Sequence, residues 1–185
     1  MELKLYKRPD NKTGTKNKLR IQGYIPAVIY GKGLSSESIY IAKDEYEAAL
    51  RQIDPGKLST TVFVLVDEKK KYKAIIKEAQ YHVTNYKVQH IDFEILQDNV
   101  KVNVHVPINL SNVDICPGVK LGGTLRQVIR KIKVNCLPKD MPKEFVIDVA
   151  KMNLMDAIRL SHLQMPQGVK PLAQLQEVAV TVAKR

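Results

Sequence analysis

The stretch KVQHIDFEIL, residues Lys87–Leu96, has the clearest alternation of polar and apolar side chains in this sequence. Successive side chains of a β-strand point to opposite faces, so Ile91 and Phe93 share an apolar face. The other face carries polar side chains, namely His90, Asp92 and Glu94. This pattern predicts a strand that covers a core with one side and presents the other side to water or to a ligand.

Strand patterns recur on the N-terminal side of this stretch. A helical pattern occupies Asp44–Ile53, where Asp44 and Glu47 have the spacing of a capping box. The first 96 residues are therefore expected to form a small barrel or sheet with one helix. The strands are predicted from short apolar runs separated by turn residues, at Gly23–Gly33, Ser38–Ile41, Thr60–Val66 and Tyr72–Ala79.

The second half of the chain also shows strand patterns, with helical signals only around Ala150–Leu154. Several short strands separated by turns are typical of a β-sandwich. We expect a mainly β protein with two domains, residues 1–96 and 97–185, of which the second is all-β and sandwich-like. Its strands are predicted at Val100–Leu110, Val128–Cys136, Phe145–Val149 and Val178–Val182.

Composition and charge narrow the function. The 185 residues are 44% hydrophobic and 26% charged, which excludes a disordered or collagen-like chain. Thirty Lys and Arg against 19 Asp and Glu give a net charge of +11, which favours nucleic acid as partner, with an anionic membrane second. No apolar stretch is long enough to span a membrane, and the charged N-terminus predicts no secretory signal. Cys116 and Cys136 form no CxxC motif, so we expect reduced thiols in a cytoplasmic protein.

A cationic segment, Lys7–Lys18, contains no apolar side chain except that of Pro9. It predicts an exposed loop without regular structure, which either contacts phosphates or stays a solvated flexible arm. Phosphate contacts would gain affinity from the release of counterions. The candidate cations in and beside this segment are Lys7, Arg8, Lys12, Lys16, Lys18 and Arg20.

The polar face of the opening strand has three interpretations. His90, Asp92 and Glu94 could hold a metal ion or act in acid–base catalysis, but a site needs more ligands than one strand supplies. The face could simply be solvated. It could also meet RNA, with His90 and Gln80 contacting base edges and Asp92 accepting from a base amino group such as guanine N2. The last interpretation fits the chemistry best.

No catalytic motif accompanies these residues. The sequence has no GxxxxGK[ST], GxGxxG or GxSxG pattern, so we expect no enzyme, cofactor, metal or small-molecule substrate. A second basic patch, RKIK at Arg130–Lys133, is equally compatible with a contact and with a solvated strand edge.

Three motifs in order resemble the bacterial ribosomal protein family that binds 5S rRNA: Leu19–Arg20, IPAVIYGKG at Ile25–Gly33, and VQHIDFEIL at Val88–Leu96. PGVKLGGTL at Pro117–Leu125 and LPKDMPKEFVIDV at Leu137–Val149 resemble its long two-domain form, the general stress protein CTC. The resemblance implies a six-stranded N-terminal β-barrel with helices at its side and an all-β C-terminal domain. It also implies a structural, non-enzymatic protein of the large ribosomal subunit, cytoplasmic and monomeric off the ribosome.

The same resemblance assigns roles to single residues. Arg8, Lys18 and Arg20 would contact the RNA backbone, beside Lys12 and Lys16 of the cationic segment. The groove face would carry Tyr30, Gln80, His90 and Asp92. Lys77 stands where the family often has Gln, which favours a phosphate contact, and Asn17 stands where a basic residue is common. Met155 and His162 also depart from the family pattern. The alternative is a stress-related interaction protein that acts off the ribosome through its C-terminal domain.

Overall fold

The computed structural model describes residues 1–8, 15–67 and 70–184. The chain divides into two compact units, Met1–Val100 and Lys101–Arg185. Each unit has its own hydrophobic core. No helix among the described residues is both long and apolar enough to cross a bilayer.

The first unit is a closed six-stranded barrel with the strand order β1-β3-β2-β6-β5-β4, which confirms the predicted barrel. The barrel closes because β1 pairs antiparallel with β3 and parallel with β4. Its elements are β1 (Glu2–Lys7), α1 (Thr15–Ile21), β2 (Tyr24–Gly31), β3 (Leu34–Ala42), α2 (Lys43–Arg51), β4 (Val62–Val66), β5 (Lys71–Tyr81) and β6 (Val88–Ile95).

The interior of the barrel is filled by alternate side chains of its strands. Ile91 and Phe93 of β6 are fully buried, as the alternation in KVQHIDFEIL predicts. Phe93 meets Phe63 of β4 edge to face, with ring centroids 6.4 Å apart, a preferred aromatic geometry. The outer side chains of β6 are thereby fixed in direction, because neighbours along a strand cannot share a face.

Two local predictions for this unit are wrong. The cationic segment was expected to stay irregular to Lys18, but helix α1 begins at Thr15 and runs to Ile21. These seven residues contain no Gly or Pro, and the helix is tied to the barrel through Arg20. Helix α2 begins at Lys43 without a side-chain cap, because β3 runs directly into it; Asp44 lies in its first turn instead.

The second unit is all-β, as predicted, and its two sheets contribute to one core. The four-stranded sheet has the order β10-β7-β9-β12 and the three-stranded sheet the order β11-β13-β8. The elements are β7 (Val102–Ser111), α3 (Pro117–Lys120), β8 (Thr124–Gln127), β9 (Lys131–Cys136), β10 (Phe145–Asp148), β11 (Ala157–Arg159), β12 (Lys170–Pro171) and β13 (Val178–Ala183).

The helical turn expected around Ala150–Leu154 is not formed. Side chains take the backbone donors there: Asp148 accepts from the amide of Ala150, and Asp156 from that of Asn153. Such local bonds offer the backbone an alternative to a helix. The short helix of this unit, α3, lies instead at the glycine-rich motif that begins at Pro117.

Both cysteines lie in the core of the second unit as free thiols. The Sγ of Cys116 donates to the carbonyl oxygen of Met152 over 3.3 Å. Burial, with a smaller contribution from Asp140, raises the pKa of the Cys136 thiol. Burial and the Asp140 carboxylate thus both favour the neutral thiol of Cys136, which is less reactive than a thiolate.

Candidate RNA interface

Three neighbouring strands of the barrel, β2, β6 and β5, present one continuous outer surface, which we call the polar face. Strand β6 lies in its middle, paired parallel with β2 and antiparallel with β5. Five of the residues singled out from the sequence lie on these strands. They are Tyr30, Lys77, Gln80, His90 and Asp92.

A β-bulge in β5 decides which side chains of this strand lie on the polar face. Ile76 pairs with Phe93, both inside the barrel, and the next paired residue is Glu78, opposite Asp92 on the outside. Lys77 is the extra residue. Without the bulge, Gln80 would have the same parity as Ile76 and would point inward. The bulge turns it outward, opposite His90.

His90 and Asp92 form the centre of the polar face. The Nδ1 of His90 lies 2.7 Å from the Oδ1 of Asp92, and both side chains are partly buried. This contact leaves the Nε2 of His90 and the second carboxylate oxygen of Asp92 for other partners. The pair can therefore offer a nitrogen and an oxygen side by side to a ligand on the barrel surface.

Lys77, which is predicted to contact a phosphate, lies in an ion pair within the polar face. Its Nζ lies 2.8 Å from the Oε2 of Glu94, the outer residue that follows Asp92 on β6. Both side chains are more than two-thirds buried, so the pair is partly shielded from solvent. Glu94 thus neutralises much of the charge that Lys77 would bring to a phosphate.

Tyr30 lies at the end of β2, with Glu94 as its neighbour across the parallel pair. Burial raises the pKa of its phenol, and the carboxylates of Glu94, Asp92 and Glu78 raise it further. The hydroxyl therefore stays protonated at physiological pH and can donate a hydrogen bond.

Arg20 joins helix α1 to the polar face at one edge, where the middle strand β6 begins. Its Nε and Nη2 donate to the carbonyl oxygen of Gln89 over 3.2 and 3.1 Å, and its Nη1 donates to the Oδ1 of Asn17 over 3.0 Å. A guanidinium has five N–H donors, so two remain for another acceptor. Asn17, which stands where a basic residue was expected, orients this arginine.

The other cations have different placements. Lys16 and Lys18 are exposed on α1. Arg8 follows β1 and is anchored on β3: its Nη2 donates to the Oγ of Ser38 over 3.0 Å, and its amide donates to the Ser38 carbonyl. Lys12 lies outside the described residues. Arg20 thus lies beside the polar face and Arg8 on the neighbouring strand β3, whereas Lys77 and the carboxylates lie within the face.

Sequence reasoning missed Glu78, which the bulge places beside Asp92. The sequence does contain a sign of the bulge. Ala74 and Ile76 are two residues apart, as in a regular strand, whereas Ala79 follows Ile76 by three residues, so the alternation shifts by one residue between them. Three carboxylates on one surface repel phosphates, so only groups that donate hydrogen bonds suit the middle of this face. Among the described residues, no cluster of three His, Cys, Asp or Glu side chains is arranged to hold a metal ion.

Comparison with known proteins agrees with this architecture. Residues 3–93 match the model of the Ribosomal L25p family, and residues 101–185 match that of the C-terminal domain of ribosomal protein TL5. The chain is 44% identical to large ribosomal subunit protein bL25 of Chlamydia trachomatis serovar L2 and 43% identical to that of Chlamydia muridarum. Both alignments span 185 residues and cover 100% of each chain. The chain belongs to the L25p family, in its long, two-domain form.

Proposed function

We propose that this protein is a structural component of the large ribosomal subunit and binds 5S rRNA with the polar face of its barrel. The observation that carries the proposal is the arrangement of charge on one surface. Hydrogen-bonding groups of Asp92, His90 and Gln80 lie in the middle, and the cations of helix α1 lie at the edge. The family relationship supports the ribosomal part of the proposal.

The middle of the face suits base edges rather than phosphates. Guanine is the base that presents an amino donor in the minor groove, and the free oxygen of Asp92 is an acceptor for such a group. The minor groove of an RNA helix is wide and shallow, so a gently curved strand surface can approach it. The phenol of Tyr30 can donate to a 2′-hydroxyl or a base acceptor.

The edge of the face suits the RNA backbone. Arg20 keeps two N–H donors while three others hold it in place, which lowers the entropy lost when it binds a phosphate. Lys16 and Lys18 extend along the same helix. Phosphate contacts would position the protein, and the groups in the middle would select the groove.

The remaining assignments follow from this role. RNA contacts are assigned to the N-terminal domain, residues 1–96, and residues 97–185 form a second domain with a separate task. The protein works in the cytoplasm on the ribosome, as a monomer when free, without a catalytic step. A stress-related role away from the ribosome, through the second domain, has less support, because the relatives that match both domains are large ribosomal subunit proteins.

Gel-shift titration of the full chain tests the proposal, with 5S rRNA and an unrelated structured RNA of equal length. We expect tight binding to 5S rRNA that survives an excess of the unrelated RNA. Equal affinity for the two RNAs would reject specific recognition. Release of labelled 5S rRNA fragments in the presence of Mg²⁺ would instead indicate a nuclease.

A further inference from the structure

The four-stranded sheet of the second unit carries a group of three lysines that we call the lysine stripe: Lys131, Lys133 and Lys170. On β9, Ile132, Val134 and Cys136 are buried in the core, so Lys131, Lys133 and Asn135 face outward. Lys170 of β12 pairs with Asn135 and therefore shares its face. All three lysines are exposed.

We propose that the lysine stripe is a second RNA-binding surface, which contacts the phosphate backbone of an RNA helix. The spacing is suitable: residues two apart on a strand are separated by roughly 7 Å, and the neighbouring strand lies about 4.8 Å away. Three ammonium groups within that small area can meet successive phosphates. The surface goes beyond the proposed 5S rRNA site, which lies on the other unit.

The lysines of the stripe form no ion pairs with the described residues. Most of the barrel's ion pairs do engage lysines, as those of Lys43 and Lys71 show. On this sheet the acidic residues Glu144 and Asp148 belong to β10 and the residue before it, at the opposite edge from β12.

Protection of a sheet edge explains only part of the stripe. Lysine on an edge strand prevents pairing with other chains, and Lys170 lies on such a strand. Strand β9 pairs with β7 along its length, and on its other side β12 covers Val134 and Asn135, while the carbonyl oxygen of Lys133 accepts from the amide of Leu172. Lys133 therefore lies on a covered stretch of the strand and has no edge to protect. Its charge calls for a different explanation, and an anionic partner supplies one.

RNA is the anionic partner that the side chains favour. Lys is depleted from the cores of protein–protein interfaces, where aromatic residues and Arg are enriched. The positions across from the stripe carry hydrogen-bonding groups instead, with Asn103 opposite Asn135 and His105 opposite Lys133. The amide of Asn135 donates to the Oδ1 of Asn103 over 2.7 Å, which holds this polar surface in place.

The test compares two triple variants of the full chain with equal loss of charge. One replaces the stripe: Lys131→Gln, Lys133→Gln and Lys170→Gln. The control replaces three exposed lysines outside the four-stranded sheet: Lys120→Gln, Lys151→Gln and Lys184→Gln. Binding to a 20-base-pair RNA duplex of unrelated sequence is measured from 50 to 300 mM salt, after circular dichroism has verified folding.

We expect the stripe variant to reduce the slope of log affinity against log salt by about two to three units, since each phosphate contact contributes roughly 0.9. The control should change it by less than one unit. Equal effects of the two variants would overturn the proposal, as would a loss specific to vesicles containing phosphatidylglycerol. The affinity of the Asp92→Ala variant for 5S rRNA is measured in parallel. Loss of 5S rRNA binding by the barrel can then be distinguished from loss of duplex binding by the lysine stripe.

Discussion

His90 and Asp92, two residues apart on the same outer face of β6, hold each other in position through a contact of 2.7 Å between Nδ1 and Oδ1. Because the pair keeps the Nε2 of His90 and the second oxygen of Asp92 available, it can form two hydrogen bonds with a neighbouring base pair.

Asp92→Ala is expected to weaken binding to 5S rRNA by about 1–3 kcal/mol, the usual cost of losing a base-edge contact. The matched control is Asp98→Ala, an exposed carboxylate beyond the end of β6. Filter binding at constant salt measures both variants. Tighter binding after Asp92→Ala would mean that this carboxylate only repels the RNA.

Arg20→Ala is expected to reduce the salt dependence of 5S rRNA binding by roughly one unit, because one phosphate contact is lost. Arg51→Ala, at the exposed end of α2, removes the same charge away from the polar face and is the control. Arg20→Lys should restore little, since one ammonium cannot both hold the Gln89 carbonyl and reach a phosphate in the same geometry. An unchanged slope for Arg20→Ala would contradict the phosphate contact.

The ion pair between Lys77 and Glu94 predicts opposite effects for its two members. Lys77→Gln should lower the salt slope by well under one unit, because Glu94 already neutralises this lysine. Glu94→Gln should raise affinity at low salt by up to about tenfold, since it removes a carboxylate that lies against the lysine on the surface proposed to meet RNA. Isothermal titration at 50 and 200 mM salt separates the two. A large loss for Lys77→Gln alone would show that the lysine contacts RNA directly.

The hydrogen bonds of Asp148 are expected to make the stability of the second unit depend on pH in the acidic range. Its carboxylate accepts from the amide of Ala150 and from Asn112, and these bonds lower its pKa, the amide contributing most. Stability from the ionised form is therefore complete above the unfolded pKa of about 3.9 and is lost as the pH falls through the lower folded pKa. Asn112→Ala should raise the pKa of Asp148, as an NMR titration of the carboxyl group would record. A midpoint that Asn112→Ala leaves unchanged would exclude this contact in solution.

Gly118 is predicted to be intolerant of any side chain. A Cβ at this position would lie 2.8 Å from the backbone carbon of Asn153 and 2.9 Å from a methyl group of Val182. Gly118→Ala should therefore destabilise the second unit by about 1–3 kcal/mol. Hydrogen exchange by mass spectrometry measures this unit separately: protection should fall in residues 101–184 and not in the barrel. Unchanged protection would mean that the backbone at residue 153 can move away.

The sequence by itself determined most of the strands and their two faces, but the strand expected at Val128–Cys136 begins only at Lys131, and β8, β11 and β12 were not predicted. Alternation has a period of two residues, so it is a local property, and it correctly identified Ile91 and Phe93 as core and His90 and Asp92 as surface. The motifs around Ile25–Gly33 and Val88–Leu96 were also sufficient to identify the family. The all-β second half followed from the same periodicity.

Only the tertiary structure decided which strand faces lie side by side and which charged side chains are already held by a partner within the protein. Helix α1 was missed because its anchor, the carbonyl of Gln89, lies 69 residues from Arg20 in sequence. The ion pair of Lys77 with Glu94 could not be predicted either, because Glu94 lies on another strand across a bulge. Charge pairing depends on distance in space, and distance in space between strands is set by register, which a local pattern does not contain.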